Sequence, residues 1–461
     1  MLMGRNVQLQ MLENMANSDK STFTIMYGRT GIGKTTLLKH FIAGKRALCY
    51  CSPQASAKEQ FVIMREQFAK QLEALYGSDI GKSVMEAEDY AALFALVQND
   101  TIIVIEEFQN IVKSDSRFIE AAAELVCGGL SASKVMLVCS SSSVSWIENS
   151  LVSLIGANAY AITTFLKLKE LSFVDAVRMF PKFSVEDCVR MYAVTGGVPL
   201  YMEYFTDKIS IKENICRLIL EDNAPLRSEG ADFIKEELRE TSLYNTILYC
   251  IAQGEYKLNE LHAHTGFGRD KISVYLKNLI EREIVEKVFS FDASAGGSEH
   301  TRKGLYNIRS SMTAFWFRFI YARETEMMLM TASDFYDKYI ADALDDFAAG
   351  TFVKVGMEYI ELLGEMNQLP LNIEKRGRWW GKTGNIDIIA CDSDGKYIIG
   401  SCNWVLEKFT FAMFEELMYN ASLAGVGSDY IYLFSRGEFD EKLVEFAKNN
   451  PNIVLVGIDE L

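Results

Sequence analysis

Eight consecutive residues restrict this chain more than any other feature of it. Gly28-Arg29-Thr30-Gly31-Ile32-Gly33-Lys34-Thr35 fits the pattern G-x-x-x-x-G-K-[ST]. The pattern lies directly after the apolar run Thr22-Phe23-Thr24-Ile25-Met26-Tyr27 and opens into the helical run Thr36-Leu37-Leu38-Lys39-His40-Phe41. Strand, glycine loop and helix start, in that order, make a cradle for phosphate. The glycines let successive backbone N–H groups point at anionic oxygens, and the helix N-terminus adds the positive end of its dipole. Gly28, Arg29, Thr30, Gly31, Ile32, Gly33, Lys34, Thr35 and Thr36 are therefore the expected nucleotide-binding residues. Lys34 would meet the β- and γ-phosphates and the Thr35 hydroxyl would ligate Mg2+, so ATP or ADP with Mg2+ is the cofactor set.

The flanking sequence agrees with such a cradle. Ala47-Leu48-Cys49-Tyr50, Thr101-Ile102-Ile103-Val104-Ile105 and Lys134-Val135-Met136-Leu137-Val138-Cys139 are near-continuous apolar runs separated by amphipathic helical stretches. That is the pattern of a parallel sheet covered on both faces. The second of these runs ends in Glu106-Glu107. There, Glu106 would reach the magnesium and Glu107 would orient the attacking water, as the catalytic carboxylate. Solvated acids capping a strand are the plainer alternative. After the last run comes Ser140-Ser141-Ser142-Ser143, in which Ser142 is placed to sense the γ-phosphate, with an ordinary loop as its alternative.

Length and composition exclude other classes. A chain of 461 residues suggests about three domains. Hydrophobic residues at 49% and charged residues at 24% are the balance of a globular protein rather than of a disordered one. No stretch of eighteen uncharged apolar residues occurs, which argues against a membrane-spanning protein. The N-terminus lacks an apolar signal segment, so the expected location is cytoplasmic. The nine cysteines include no C-x-x-C pair and the four histidines no ligand spacing, so they read as packing residues rather than a zinc site. A net charge of −15 argues against indiscriminate coating of nucleic acid.

Beyond the first segment (1–166) the strand signals stop, and 167–236 reads as a small helical lid. Residues 237–310 give three helical patterns, the third beginning at Arg269, then strand-like Ile284-Val285-Glu286-Lys287-Val288 and a Gly/Ser-rich turn around Ala295–Ser298. Three helices and a hairpin make a winged helix-turn-helix. Between Glu255 and Arg309 there are nine basic and eight acidic residues, which is no basic stripe. Placement still allows phosphate contacts from Arg269, Lys271 and Lys277 on the third helix and from Arg302 and Lys303 on the wing. Docking of a protein partner is the alternative. The aromatic helix Phe315-Trp316-Phe317-Arg318-Phe319, within a linker at 311–344, reads as core packing. The last segment, 345–461, is again α/β, and in it Trp379-Trp380 is either an exposed grip for nucleic acid or a buried anchor.

These motifs, together with Met3-Gly4-Arg5-Asn6, Glu107-Phe108-Gln109 and Gly196-Gly197-Val198-Pro199-Leu200-Tyr201, resemble the archaeal-type AAA+/STAND-like ATPase family of archaea and bacteria. Gly197 and Pro199 are the lid residues in that match. The resemblance runs on through Leu238-Arg239-Glu240, Tyr275-Leu276 and Phe315–Phe319. It implies an α/β P-loop NTPase domain with a helical lid, a winged helix-turn-helix and a C-terminal restriction-endonuclease-like, PD-(D/E)XK-type domain. Several positions depart from the family. Asn6 replaces an acidic residue, Glu106 replaces Asp, and Ala157-Asn158 stand where arginines are usual. In the last domain Asp387 matches the strand Asp, but Val353, Ser401 and Asn403 stand where a Glu, a Glu and a Lys belong. Glu358, about one helical turn past Val353, is a partial substitute.

The expectation is an ATP-binding, slowly hydrolysing multidomain switch, weakly DNA-associated, with a protein partner or homo-oligomer open and no membrane. A non-enzymatic, nucleotide-holding regulator that binds DNA or protein, and an active ATP-dependent nuclease, are the alternatives.

Overall fold

The computed structural model describes residues 3–128, 134–231, 241–292 and 298–461, the side chains of 241 and 298–303 excepted. The chain divides into two compact units, Met1–Leu171 with Val198–Leu200, and Ser172–Gly197 with Tyr201–Leu461.

The first unit is built on five parallel strands: β1 (Thr22–Tyr27), β2 (Ala47–Cys51), β3 (Thr101–Glu106), β4 (Val135–Ser141) and β5 (Thr164–Lys167). Their order across the sheet is β2-β3-β4-β1-β5. Side chains alternate between the faces of a strand, and here both faces are dry. Phe23, Ile25, Ile103, Ile105, Leu137 and Cys139 pack with Met64, Phe68, Phe94 and Phe118 on one side. Met26, Ile102, Val104, Met136 and Val138 pack with Leu37, Leu38 and Phe41 on the other. The continuous apolar runs of the sequence are the result of this double burial.

β5 has no counterpart among the apolar runs, because it is a four-residue edge strand and only Leu166 in it is fully buried. It carries the sheet past residue 166: the Leu168 N–H bonds the Tyr27 carbonyl at 2.7 Å. The segment expected as a separate lid, 167–236, accordingly divides. Residues 167–171 and 198–200 group with the sheet, and 172–197 group with the second unit.

That second unit begins with helices Phe173–Met179 and Val185–Thr195. It continues through helices Thr241–Ala252, Leu258–Thr265 and Arg269–Glu281 into the antiparallel hairpin of β6 (Val285–Asp292) and β7 (Ser298–Ile308). The glycine turn expected at 295–298 falls mostly outside the described residues. Helix Ser311–Phe319 buries Phe315, Trp316, Phe317 and Phe319, so the aromatic run is core.

A second sheet closes the chain. Its strands are β8 (Lys375–Trp380), β9 (Asn385–Cys391), β10 (Tyr397–Asn403), β12 (Tyr430–Ser435) and β14 (Ile453–Gly457), in the order β14-β12-β10-β9-β8. β8, β9 and β10 pair antiparallel, while β10, β12 and β14 pair parallel. The short strands β11 (Lys408–Phe409) and β13 (Glu438–Phe439) form a separate parallel pair. Helix Leu344–Glu365 packs on this sheet at Gly356, where an added Cβ would lie 3.0 Å from Ile388 and 3.2 Å from the Cys402 sulfur. Trp379 is buried in one core with Phe291 of the β6–β7 hairpin, and Trp380 is half-buried.

Ionic contacts fasten helix Val185–Thr195 to the rest of this unit. Arg190 and Arg436 both reach Asp345, at 2.8 and 2.6 Å, and their guanidiniums lie 5.9 and 5.1 Å from the Trp404 ring. Burial works to push the Asp345 carboxyl up, but the two guanidiniums win and hold it below the usual carboxylate range. Among the described residues no helix is long and apolar enough to cross a membrane.

Candidate nucleotide site

The site lies at the carboxyl ends of β1, β3 and β4, where parallel strands deliver their loops to one edge. β1 runs into the glycine loop and helix Lys34–Ile42 follows it. Gly31 and Gly33 have φ of 79° and 90°, a region glycine enters without penalty. Gly28 is needed for another reason, since a Cβ there would lie 2.6 Å from the Leu168 carbonyl oxygen.

Lys34 is buried, and its ammonium donates to the carbonyls of Gly28 at 2.7 Å and Arg29 at 3.1 Å. The loop thus holds its own lysine in the place a phosphate would take it from. Burial pulls the Lys34 ammonium below its ordinary range, and the charges of Glu107 and then Glu106 oppose the shift. Ile32 is buried in the helix-side core, whereas Thr30, Thr35 and Thr36 are exposed at the loop surface. Arg29 pairs with Glu170 at 3.4 Å.

β3 delivers Glu106, whose carboxylate accepts a hydrogen bond from the Thr35 hydroxyl. A hydroxyl and a carboxylate in contact form a hard-oxygen donor pair, the kind Mg2+ uses beside phosphate. The longer side chain of Glu, compared with Asp, still reaches Thr35. Glu107 follows with φ 53°, a left-handed backbone that costs a non-glycine residue about 1–3 kcal/mol. One oxygen of its carboxylate collects three donors: the Ser142 hydroxyl at 2.6 Å, the Ser142 N–H at 3.2 Å and the Gln109 amide at 2.5 Å. The strand order explains the meeting, because β4 lies between β1 and β3 and ends at the serines.

Three contributions have no signal in spacing or periodicity. Arg5 is buried and donates to the carbonyls of Ile32 at 2.9 Å and Lys169 at 2.7 Å, bracing the glycine loop against the end of β5. Gln109 is buried and steadies Glu107. Val198–Leu200 sits on the loop itself: the Leu200 N–H bonds the Gly31 carbonyl at 3.1 Å, and Pro199 lies 3.9 Å from where a Gly33 Cβ would be. All three lie in motifs that carry the family resemblance, where Gly-Arg, Glu-Phe-Gln and Val-Pro-Leu are the signals that could have found them.

The remaining candidates lie elsewhere. Asn6 is exposed at the start of helix Asn6–Ala16, and Ala157 and Asn158 lie on the 3-10 turn Gly156–Ala161. Gly197 has φ 79° and belongs to the second unit. Arg269, Lys271 and Lys277 are exposed on helix Arg269–Glu281, whose buried side is Ile272, Leu276 and Leu279. Lys271 lies 5.1 Å from the Phe267 ring and Lys277 lies 3.8 Å from Glu281. The side chains of Arg302 and Lys303 lie outside the described residues.

In the last domain Asp387 is buried with both oxygens engaged. Oδ1 accepts from Asn385 at 2.7 Å and Arg378 at 3.4 Å, and Oδ2 accepts from the Cys402 N–H at 3.0 Å. Asn403 spends its amide on Leu406 and Ser435. Val353 is buried, and Ser401 is half-buried on β10. Glu358 is no partner for Asp387 in this arrangement, since its carboxylate accepts from the Phe173 N–H at 2.7 Å and the Tyr192 hydroxyl at 3.0 Å. Asp387→Ala should therefore destabilise the fold by about 1–3 kcal/mol, leaving the Cys402 N–H bare while the exposed Arg378 and Asn385 turn to water, and Asp387→Asn costs less because it keeps an acceptor. Chemical denaturation of both variants measures the difference, and equal stability of Asp387→Ala and the parent would contradict a structural role.

A parallel sheet in this order, with a glycine loop, a buried lysine and an acid pair along one edge, defines a P-loop NTPase-like α/β domain. Residues 2–205 match the ATPase domain found predominantly in Archaea, and residues 316–417 match a family of archaeal and bacterial proteins of unknown function. Two separate stretches of the chain are thus similar to an archaeal-type P-loop ATPase domain and to that second family. An uncharacterized protein of Methanocaldococcus jannaschii is 28% identical over 434 residues, covering 93% of this chain and 94% of the relative. An uncharacterized ATP-binding protein of the same organism is 39% identical over 54 residues, covering 11% of this chain and 92% of that protein. Among solved structures, the Walker-type ATPase of Pyrococcus abyssi aligns with a TM-score of 0.49 at 15% identity, covering 69% of this chain and 96% of that one. The ORC2 protein of Aeropyrum pernix, in its ADPNP and ADP complexes, aligns with a TM-score of 0.44 at 14% identity, covering 71% and 95%.

Proposed function

We propose that this ATPase is a slow nucleotide-operated switch whose readout is the second unit. The observation that carries the reading is the path of the chain. It leaves the second unit at Gly197, contributes Val198–Leu200 to the glycine loop, and returns at Tyr201. Any change in the loop on binding phosphate acts on residues bonded covalently at both ends to the second unit.

At the site, the loop N–H groups and Lys34 bind phosphate, and Thr35 with Glu106 would hold Mg2+, which supplies charge neutralisation at the phosphates. Glu107 is the base-side carboxylate that orients water, and Ser142, bonded to it, is placed to report the γ-phosphate. Ala157 and Asn158 offer no cation to the transition state, which supports slow turnover. Hydrogen exchange of the full chain with and without ATP and magnesium tests the switch. Protection should change at 28–36 and also beyond residue 201, and a change confined to the loop would defeat the reading.

The three helices and hairpin at 241–308 support a winged helix-turn-helix, with Lys271, Val274 and Lys277 exposed on its third helix. Duplex binding should be weak and should fall steeply with salt, because few phosphates are met and no basic stripe backs them. Reversing the charge at Lys271 and Lys277 should reduce it further. Affinity that is flat from low to high salt would rule out a phosphate-driven contact, and no binding at low salt would favour a protein partner.

For the last domain, an engaged Asp387 and an Asn403 committed to a turn favour a fold without nuclease chemistry. Purified protein with supercoiled DNA and magnesium or manganese should leave it intact. Cleavage that disappears in Asp387→Ala would reverse this conclusion.

A further inference from the structure

Cys250, Glu255 and His264 meet within the three-helix module, at a sequence spacing that gives no sign of it. Helix Thr241–Ala252 ends in a turn where the N–H groups of Gln253 and Glu255 both bond the Cys250 carbonyl, at 3.1 Å each. Gly254 permits the turn with φ 101°, a backbone angle that favours glycine. The chain thereby folds Glu255 back beside Cys250. Helix Leu258–Thr265 then brings His264, in its last turn, against the same carboxylate, with Nδ1 2.5 Å from Oε1. One donor atom from each of the three residues lies within 4.8 Å of the other two.

A further observation points to a missing ligand. The second Glu255 oxygen, Oε2, is closed off from solvent and has no hydrogen-bond partner. A buried acceptor left bare is costly. Cys250, fully buried, lies beside it. A cation between them would satisfy the oxygen. The His264 side chain is half exposed, which leaves a way in from solvent.

We propose that Cys250, Glu255 and His264 bind a divalent transition-metal ion of the zinc class, clamping the end of helix Thr241–Ala252 to helix Leu258–Thr265. The donor set decides the class. Thiolate, imidazole and carboxylate are zinc ligands at about 2.3 Å for sulfur and about 2.0–2.2 Å for nitrogen and oxygen. Magnesium and calcium take oxygen ligands instead. On binding, the thiol proton leaves to solvent and the carboxylate exchanges its short contact with imidazole for the metal. The fourth position is left to water.

The test is a zinc titration of the metal-stripped full-length chain, read by bound metal per chain and by thermal unfolding. The parent should take up zinc at this site and unfold at a higher temperature with it, and added magnesium should not displace it. His264→Ala should weaken that binding by roughly tenfold or more, on the scale seen when even the supporting groups of a metal site are lost. Cys250→Ser should remove it, together with the thiolate-to-metal absorption that cobalt gives in the parent. His264 is exposed, so its variant decides the case should the buried Cys250→Ser fail to fold. A parent that binds no zinc, or variants that hold it as tightly as the parent, would overturn the site.

Discussion

Lys34→Ala should cost this protein most of its affinity for ATP, about 3 kcal/mol or roughly a hundredfold in Kd. The size comes from where the ammonium sits. It is buried and tied only to loop carbonyls, so a phosphate arriving at the loop meets a cation already desolvated, and charge-assisted bonds made in such a place are the strong ones. Arg29, the other cation of the loop, is paired with Glu170. Titration with a fluorescent ATP analogue, beside a circular dichroism spectrum to establish folding, measures the loss. An unchanged Kd in a folded variant would mean that the loop is not where the triphosphate binds.

Glu107→Gln should separate binding from turnover. Nucleotide affinity should stay within a few-fold of the parent, while the hydrolysis rate should fall by about 10²–10⁴, the range for removing a positioned general base. The variant keeps an amide oxygen to accept from Ser142, so the strand ends should not move. It loses the negative charge that would polarise water. Single-turnover hydrolysis under saturating ATP gives the rate free of product release. A variant that hydrolyses at the parental rate would shift the catalytic assignment away from Glu107, and Glu106 would be the next carboxylate to test.

Much of the first unit was legible because its chemistry is local. Residues 28–35 are contiguous, their flanks have opposite periodicities, and the acid pair ends an apolar strand, so spacing alone places them near one another. Position after the strand favours Ser142 among the serines, without showing what it bonds. What distinguishes Ser142 from its neighbours is the pair of bonds it gives Glu107, and that pairing depends on β4 lying between β1 and β3. In the C-terminal sheet, alternation and the family pattern found Asp387. They could not show that a backbone N–H of Cys402 and the side chains of Asn385 and Arg378 already occupy its oxygens. Glu358 looked available at one helical turn from Val353, yet its carboxylate accepts from Phe173 and Tyr192, which are far from it in sequence.

The sequence by itself determined the phosphate cradle, the double burial of the parallel strands and the aromatic core helix, because each rests on residues within one or two turns or one strand of each other. Tertiary structure decided the rest. Arg5 braces a loop 27 residues away, Leu200 at the start of helix Pro199–Met202 bonds Gly31 of the glycine loop, and Cys250, Glu255 and His264 converge across a turn and two helices. The physical reason is the same in all three. Hydrogen bonds and metal bonds act over a few ångströms in space, and only packing of the apolar faces fixes which distant residues come within that reach.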